Sequence, residues 1–186
     1  MVGNASLALD FLINTLFGLY TGVVLLRLFM QRARVDFYNP LAQFVVKITA
    51  PLLRPLRRVI PGWKGWDFAA LVLALVLAAA NVALVAALFV PGGWMDPGHY
   101  LIYALLRLIN IGIGLFFLTI LAQALMSWFA HGYHPMMFAL NAINAPIMDP
   151  ARRLVPPLGG VDISPLLVLI LLQVVNILLP LPGVFR

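Results

Sequence analysis

Along this chain, apolar residues gather in four long runs almost free of charge, separated by segments rich in proline and basic residues. The first run extends from Leu7 to Met30, broken by Asp10 near its start and Arg27 near its end. The second, Phe68 to Val90, is uncharged and gives about 35 Å of helix, enough to cross a hydrocarbon core of about 30 Å. The third, Tyr100 to Phe129, contains Arg107, and the fourth, Ile163 to Leu181, is shorter and uncharged. Between the first two runs the period changes. Pro40 to Pro51 sets Leu41, Phe44, Val45, Ile48 and Leu52 at helical spacing, with Gln43 and Lys47 off that stripe. Pro135 to Pro146 does the same with Met136, Leu140, Ile143 and Ile147. Proline opens helices readily, so each segment predicts a short amphipathic helix at the membrane interface, either docking lipid or a partner or packing as a plain connector.

The two halves repeat each other. A shift of 95 residues superimposes, without a gap, Tyr38 on Tyr133, Pro40 on Pro135, Pro51 on Pro146, Pro55 on Pro150 and Pro61 on Pro156. The same register sets Arg57 and Arg58 on Arg152 and Arg153, Gly65 on Gly160, Asp67 on Asp162 and Asn81 on Asn176. The predicted units are residues 1–92 and 93–186, each with two spans. An even number of spans inserts both units in one orientation, about an axis along the membrane normal, which disfavours an inverted-repeat transporter. The expected fold is an all-α membrane protein: four transmembrane helices as two parallel two-helix repeats, each with a short interfacial amphipathic helix.

Composition agrees with immersion in lipid. Hydrophobic residues make up 63% and charged residues 10%, with mean hydropathy +1.03, against about 45–50% apolar in soluble domains. A net charge of +6 and a pI near 10.3 could suggest nucleic acid, but the charges lie beside the spans, where they set topology and meet anionic lipid. No nucleic-acid partner is expected. Arg32, Arg34, Lys47, Arg54, Arg57, Arg58 and Lys64 fill the first connection and Arg152 and Arg153 the third, while Pro91 to His99 has no Lys or Arg. The positive-inside rule then sets both basic connections in the cytoplasm and both termini outside. No basic residue precedes the first run, so it is expected to be a retained span rather than a cleaved signal.

Chemistry is sparse. The chain has no cysteine, which excludes disulfides and thiolate sites. No Gly-rich phosphate loop, nucleophile elbow or carboxylate pair is present, so no catalytic residue, cofactor or metal is expected. His131 and His134 stand beside a glycine and a proline and make a poor metal pair. The Gly112 and Gly114 pair sits inside a span, without dinucleotide-binding context.

Five groups of polar or small residues stand out. Arg57, Arg58, Arg152 and Arg153 sit between prolines that are expected to interrupt helix, and their planar forks suit lipid phosphate; the alternative is purely topogenic charge. Asp67, Asp162 and Ser164 precede or open spans two and four, where helix capping is the default. Asn81, Asn176 and Gln173 lie within spans and should hydrogen-bond across helix interfaces, the sharper alternative being a polar path for an ion. Asp10 and Arg107 lie near the outer ends of their spans and invite an ion pair. Gly18 and Gly22 give a small-xxx-small spacing suited to close helix contact.

The repeated segments Ala50-Pro51-Leu52-Leu53-Arg54-Pro55-Leu56-Arg57-Arg58-Val59-Ile60-Pro61 and Ala145-Pro146-Ile147-Met148-Asp149-Pro150-Ala151-Arg152-Arg153-Leu154-Val155-Pro156 resemble those of the YggT family. Gly159-Gly160-Val161-Asp162-Ile163-Ser164-Pro165 extends the likeness, whereas the first copy keeps Asp67 without the following Ser-Pro. The resemblance spans essentially the whole chain and is similar to the long, two-repeat bacterial form. It implies a small bacterial inner-membrane protein without known catalysis, linked to osmotic stress and potassium balance. It also implies links to cell-division gene neighbourhoods and, in plastids, to assembly of membrane complexes. The expected function is to organise a membrane assembly through anionic phospholipid and either a membrane-protein partner or a second copy. A small-ion channel or transporter component is the alternative.

Overall fold

In the computed structural model, residues 3–63, 65–90, 92, 96–129, 134–155 and 162–185 are described, 128 and 129 by backbone alone. These fold into six α-helices: α1 Asn4–Arg32, α2 Pro40–Val59, α3 Phe68–Phe89, α4 Pro97–Phe129, α5 Pro135–Leu154 and α6 Ser164–Leu178. No strand occurs among the described residues; Trp63 and Trp66 only pair across a turn. α1, α3 and α4 are long and apolar enough to cross a membrane. α6 has 15 residues, about 22 Å of helix, shorter than the span expected from Ile163 to Leu181. Pro180 and Pro182 lack the amide N–H that would continue it. The chain turns instead into a 3₁₀ turn, Gly183–Phe185, whose Phe185 is buried.

The amphipathic helices are longer than the sequence suggests. α2 continues through Pro51 and Pro55 and α5 through Pro146 and Pro150, so the arginine pairs lie in the last helical turn, not in a proline-framed loop. Each internal proline deletes one backbone hydrogen bond. All four sit on the exposed side, four residues apart, so the losses fall on one face. The opposite face is anchored by Ala42, Val45, Thr49 and Leu53 in α2 and by Leu140, Ile143, Asn144 and Met148 in α5. Of the expected apolar stripe, Val45 is buried while Phe44 and Leu52 are exposed.

α1 packs against α3 through Val24, Leu25 and Leu28 on Ala69, Ala70, Leu73 and Ala74. Small residues on α3 allow that close approach, the usual means of helix association in lipid. α4 packs on α5 and α6 as α1 packs on α2 and α3, and α3 joins α4 across the halves. At one end the starts of α2 and α5 meet: Met30, Ala42, Val45 and Ile143 form one cluster, and Asn39 Nδ2 donates to the Pro135 carbonyl at 2.6 Å. At the other end, Val82, Val85 and Ala86 close over Leu181 and Phe185.

Candidate functional site

One arginine ties each amphipathic helix to the start of the helix that follows. In the first half, Arg57 in the last turn of α2 donates from Nε to Asp67 Oδ2 at 3.1 Å, and from Nη2 to the same oxygen. Asp67 is buried, and its other oxygen accepts from Ala70 N at 3.2 Å, capping α3. In the second half, Arg152 Nε donates to Asp162 Oδ2 at 3.0 Å, and Asp162 Oδ1 accepts from Ser164 N at 2.9 Å. Burial pushes the Asp162 carboxyl up, but hydrogen bonds from Ser164 and Arg152 outweigh it and hold the group below its ordinary range. Ser164 is not a cap. It is the first residue of α6, after Ile163 at the cap position, and its hydroxyl points to the Val155 carbonyl at 3.4 Å. Arg58 and Arg153 are exposed and make no ion pair or side-chain hydrogen bond among the described residues. The four arginines therefore do not act alike: a carboxylate holds one of each pair, and the other projects outward.

The long helix and the amphipathic helix are also joined in each half, by different chemistry. Arg27 on α1 donates to the Thr49 hydroxyl at 2.5 Å and to the Val46 carbonyl at 3.4 Å on α2. On α4 and α5 the corresponding joint is a neutral chain. Thr119 donates to Asn144 Oδ1 at 2.8 Å, Asn144 Nδ2 to Gln123 Oε1 at 2.7 Å, and Gln123 Nε2 to Asn141 Oδ1 at 2.6 Å. Thr49 and Val46 occupy the positions of Asn144 and Asn141 under the 95-residue shift.

The same helix, clasp and joint thus recur along one chain, and the sequence matches the family described as CCB3/YggT over residues 6–88 and again over 102–182. The chain belongs to the CCB3/YggT family. The YggT protein of Escherichia coli K12, described as uncharacterized, is 42% identical over 170 residues, covering 90% of this chain and 87% of that one. A Vibrio alginolyticus protein described as uncharacterized is 39% identical over 172 residues, 92% and 93% of the two chains. The uncharacterized ycf19 protein of Guillardia theta is 36% identical over 61 residues, 32% of this chain and 67% of its own. No solved structure matches.

In this CCB3/YggT protein the remaining polar residues lie within or near the ends of the apolar helices. Asp10 and Arg107 form no direct pair. Asn14 stands between them, donating to Asp10 Oδ1 at 3.0 Å and accepting from Arg107 through its backbone oxygen at 3.2 Å. Arg107 gives its shortest bond, 2.8 Å, to the Phe185 carbonyl. An intervening amide lets one carboxylate and one guanidinium share a partner when neither helix brings them into contact. Asn176 accepts from Asn110 at 2.6 Å across α4 and α6, whereas Gln173 is exposed. Asn81 is buried on α3 with neither side-chain polar atom partnered among the described residues, like the Thr21 hydroxyl and Arg107 Nε. Gly18 lies where an added Cβ would meet Arg107 Nη2 at 3.6 Å. His131 falls outside the described residues, and no cluster of three metal-ligating side chains occurs among them. Asn14, Thr49, Asn110, Thr119, Gln123, Asn141 and Asn144 carry no motif in the sequence, and Arg27 reads there only as a break in the first apolar run. All of them break the 95-residue repeat, which is the signal that could have found them.

Proposed function

We propose that this protein is a non-enzymatic membrane scaffold of the bacterial inner membrane. Four crossings form two parallel repeats, residues 1–92 and 93–186, with α6 and its terminal turn as the short fourth crossing. Both termini lie outside, and α2 and α5 lie at the cytoplasmic surface. The observation that carries the reading is the joined pair of amphipathic helices, which keep large apolar side chains uncovered. Phe44 is 58% exposed, Leu52 45%, Val59 81% and Leu154 83%, and on the same helices Arg58 and Arg153 carry no partner among the described residues. Uncovered apolar surface next to cationic side chains suits anionic phospholipid and a second membrane protein or second copy. By family resemblance the assembly so held supports osmotic-stress tolerance.

A photocrosslinker at Leu52 in living cells tests this, and a discrete adduct lost in Phe44→Ser is the expected result. A reporter fused at Trp94, which lies outside the described residues, should behave as extracytoplasmic, and a cytoplasmic signal there sinks the topology. The buried, unpartnered Asn81 favours one second reading, an ion path. Flux through proteoliposomes that disappears in Asn81→Leu, with no adduct at Leu52, would replace the scaffold by a channel component.

A further inference from the structure

The two halves carry clefts beside their amphipathic helices that share part of their lining under the 95-residue shift, the second also opening onto α6. The first, about 260 Å³, is lined by Arg27, Met30, Ala42, Val46 and Arg57 among others. The second, about 630 Å³, includes their counterparts Leu125, Met137, Asn141 and Arg152. Backbone placement is shared, but charge is not. In the first half Arg27 lies in the cleft, and an adjoining hollow that shares Phe37 and Val46 adds Lys47 and Arg54. The 95-residue shift turns these three cations into Ala122, Ala142 and Asp149. None of the three forms a salt bridge among the described residues, whereas Arg57 and Arg152 are both held by carboxylates. Arg27 uses only Nη1 toward Thr49 and Val46, so its other donors remain for a ligand. Lys47 and Arg54 are both exposed, two turns apart on α2.

We propose that the first half, and not the second, holds the phosphate of an anionic phospholipid, with Arg27, Lys47 and Arg54 around the headgroup and an acyl chain along Met30 and Phe37. A guanidinium with free donors and two further unpaired cations suits a phosphate ester. The apolar wall beside them, at the end of a span, selects an amphiphile over a soluble anion. This rests on the membrane arrangement proposed above and not on the scaffold role.

The test is native mass spectrometry of the full chain released from membranes of equal phosphatidylglycerol and phosphatidylcholine. Wild type should retain phosphatidylglycerol selectively. The variant K47Q/R54Q changes exposed side chains only, so it keeps its fold; it should lose about tenfold of that retention, as should R27Q. R58Q/R153Q removes the same number of charges from the general surface and should lower retention by about twofold at most, while A122R/D149R should add a second retained lipid. Equal loss in K47Q/R54Q and R58Q/R153Q overturns the site in favour of general surface charge. Lack of selectivity for phosphatidylglycerol also overturns it, and displacement by glycerol phosphate at millimolar concentration would make it a site for soluble phosphate esters. The Leu52 crosslink reports on the scaffold reading separately, because neither R27Q nor K47Q/R54Q alters that stripe.

Discussion

The joints that hold α2 to α1 and α5 to α4 occupy corresponding places and are built from different materials. One is a guanidinium reaching a hydroxyl and a carbonyl; the other is a run of neutral amides closed by a threonine. The Arg-Asp clasps differ in setting rather than in kind, since Asp67 is 3% exposed and Asp162 40%. The repeat therefore fixes where polar groups must meet, and leaves open which groups meet there. Where the groups are buried away from water, any pairing that satisfies both partners serves.

The sharpest way to break the comparison is at the clasps. Asp67→Ala removes a buried acceptor from Arg57 and the cap of α3, and should lower stability by about 3 kcal/mol. Asp162→Ala, in a wetter setting, should cost about 1 kcal/mol or less. Thermal unfolding in one detergent measures both, and equal losses would show that burial does not distinguish the halves. At the joints the ranking reverses. Asn144→Leu takes one acceptor from Thr119 and the donor from Gln123 Oε1 and should cost about 2 kcal/mol, against about 1 kcal/mol for Thr49→Val, which leaves Arg27 the Val46 carbonyl. A larger loss at Thr49 would make the charged joint the stronger one.

The smallest expected effect is on pH. The Asp162 carboxyl lies below its ordinary range in the folded protein, so its contribution is full above the unfolded value of about 4 and fades as pH falls through the depressed one. Unfolding midpoints followed downward from pH 5 should show a slight extra decline in wild type that Asp162→Asn abolishes. An identical decline in both proteins would assign it to other carboxylates.

Much of this was legible in the chain. Long apolar runs, uncharged in α3 and broken by one or two charges in α1 and α4, mark these helices because lipid tolerates few alternatives to a continuous apolar helix. The proline register exposes the repeat. The ends of elements were harder, for two opposite reasons. Pro51 and Pro55 read as breaks, yet the buried side of α2 carries the helix past them; Pro180 and Pro182 stop α6, where no such anchored face continues. The site residues were least legible. Asp10 and Arg107 invite a mutual ion pair in the sequence, but Asn14, one helical turn from Asp10, stands between them, and Arg107 turns to the Phe185 carbonyl, too distant in sequence for spacing to reveal. Arg27 interrupts an apolar run in the sequence, and only its counterpart Ala122 together with its contact to Thr49 gives it a role.

Helices α3 and α6 hold corresponding places but have 22 and 15 residues, about 33 and about 22 Å. Against a hydrocarbon slab of about 30 Å the first is matched and the second falls short by about 8 Å. In the four-crossing arrangement proposed above, lipids along the exposed Leu166, Ile170, Leu171 and Ile177 flank compress to meet it, at a fraction of a kcal/mol per ångström. In that arrangement the strain is one-sided, and the bilayer dimples along the α6 edge. Two copies that turn those edges toward each other share one dimple instead of making two, and bilayer elasticity alone then draws them together without any specific contact.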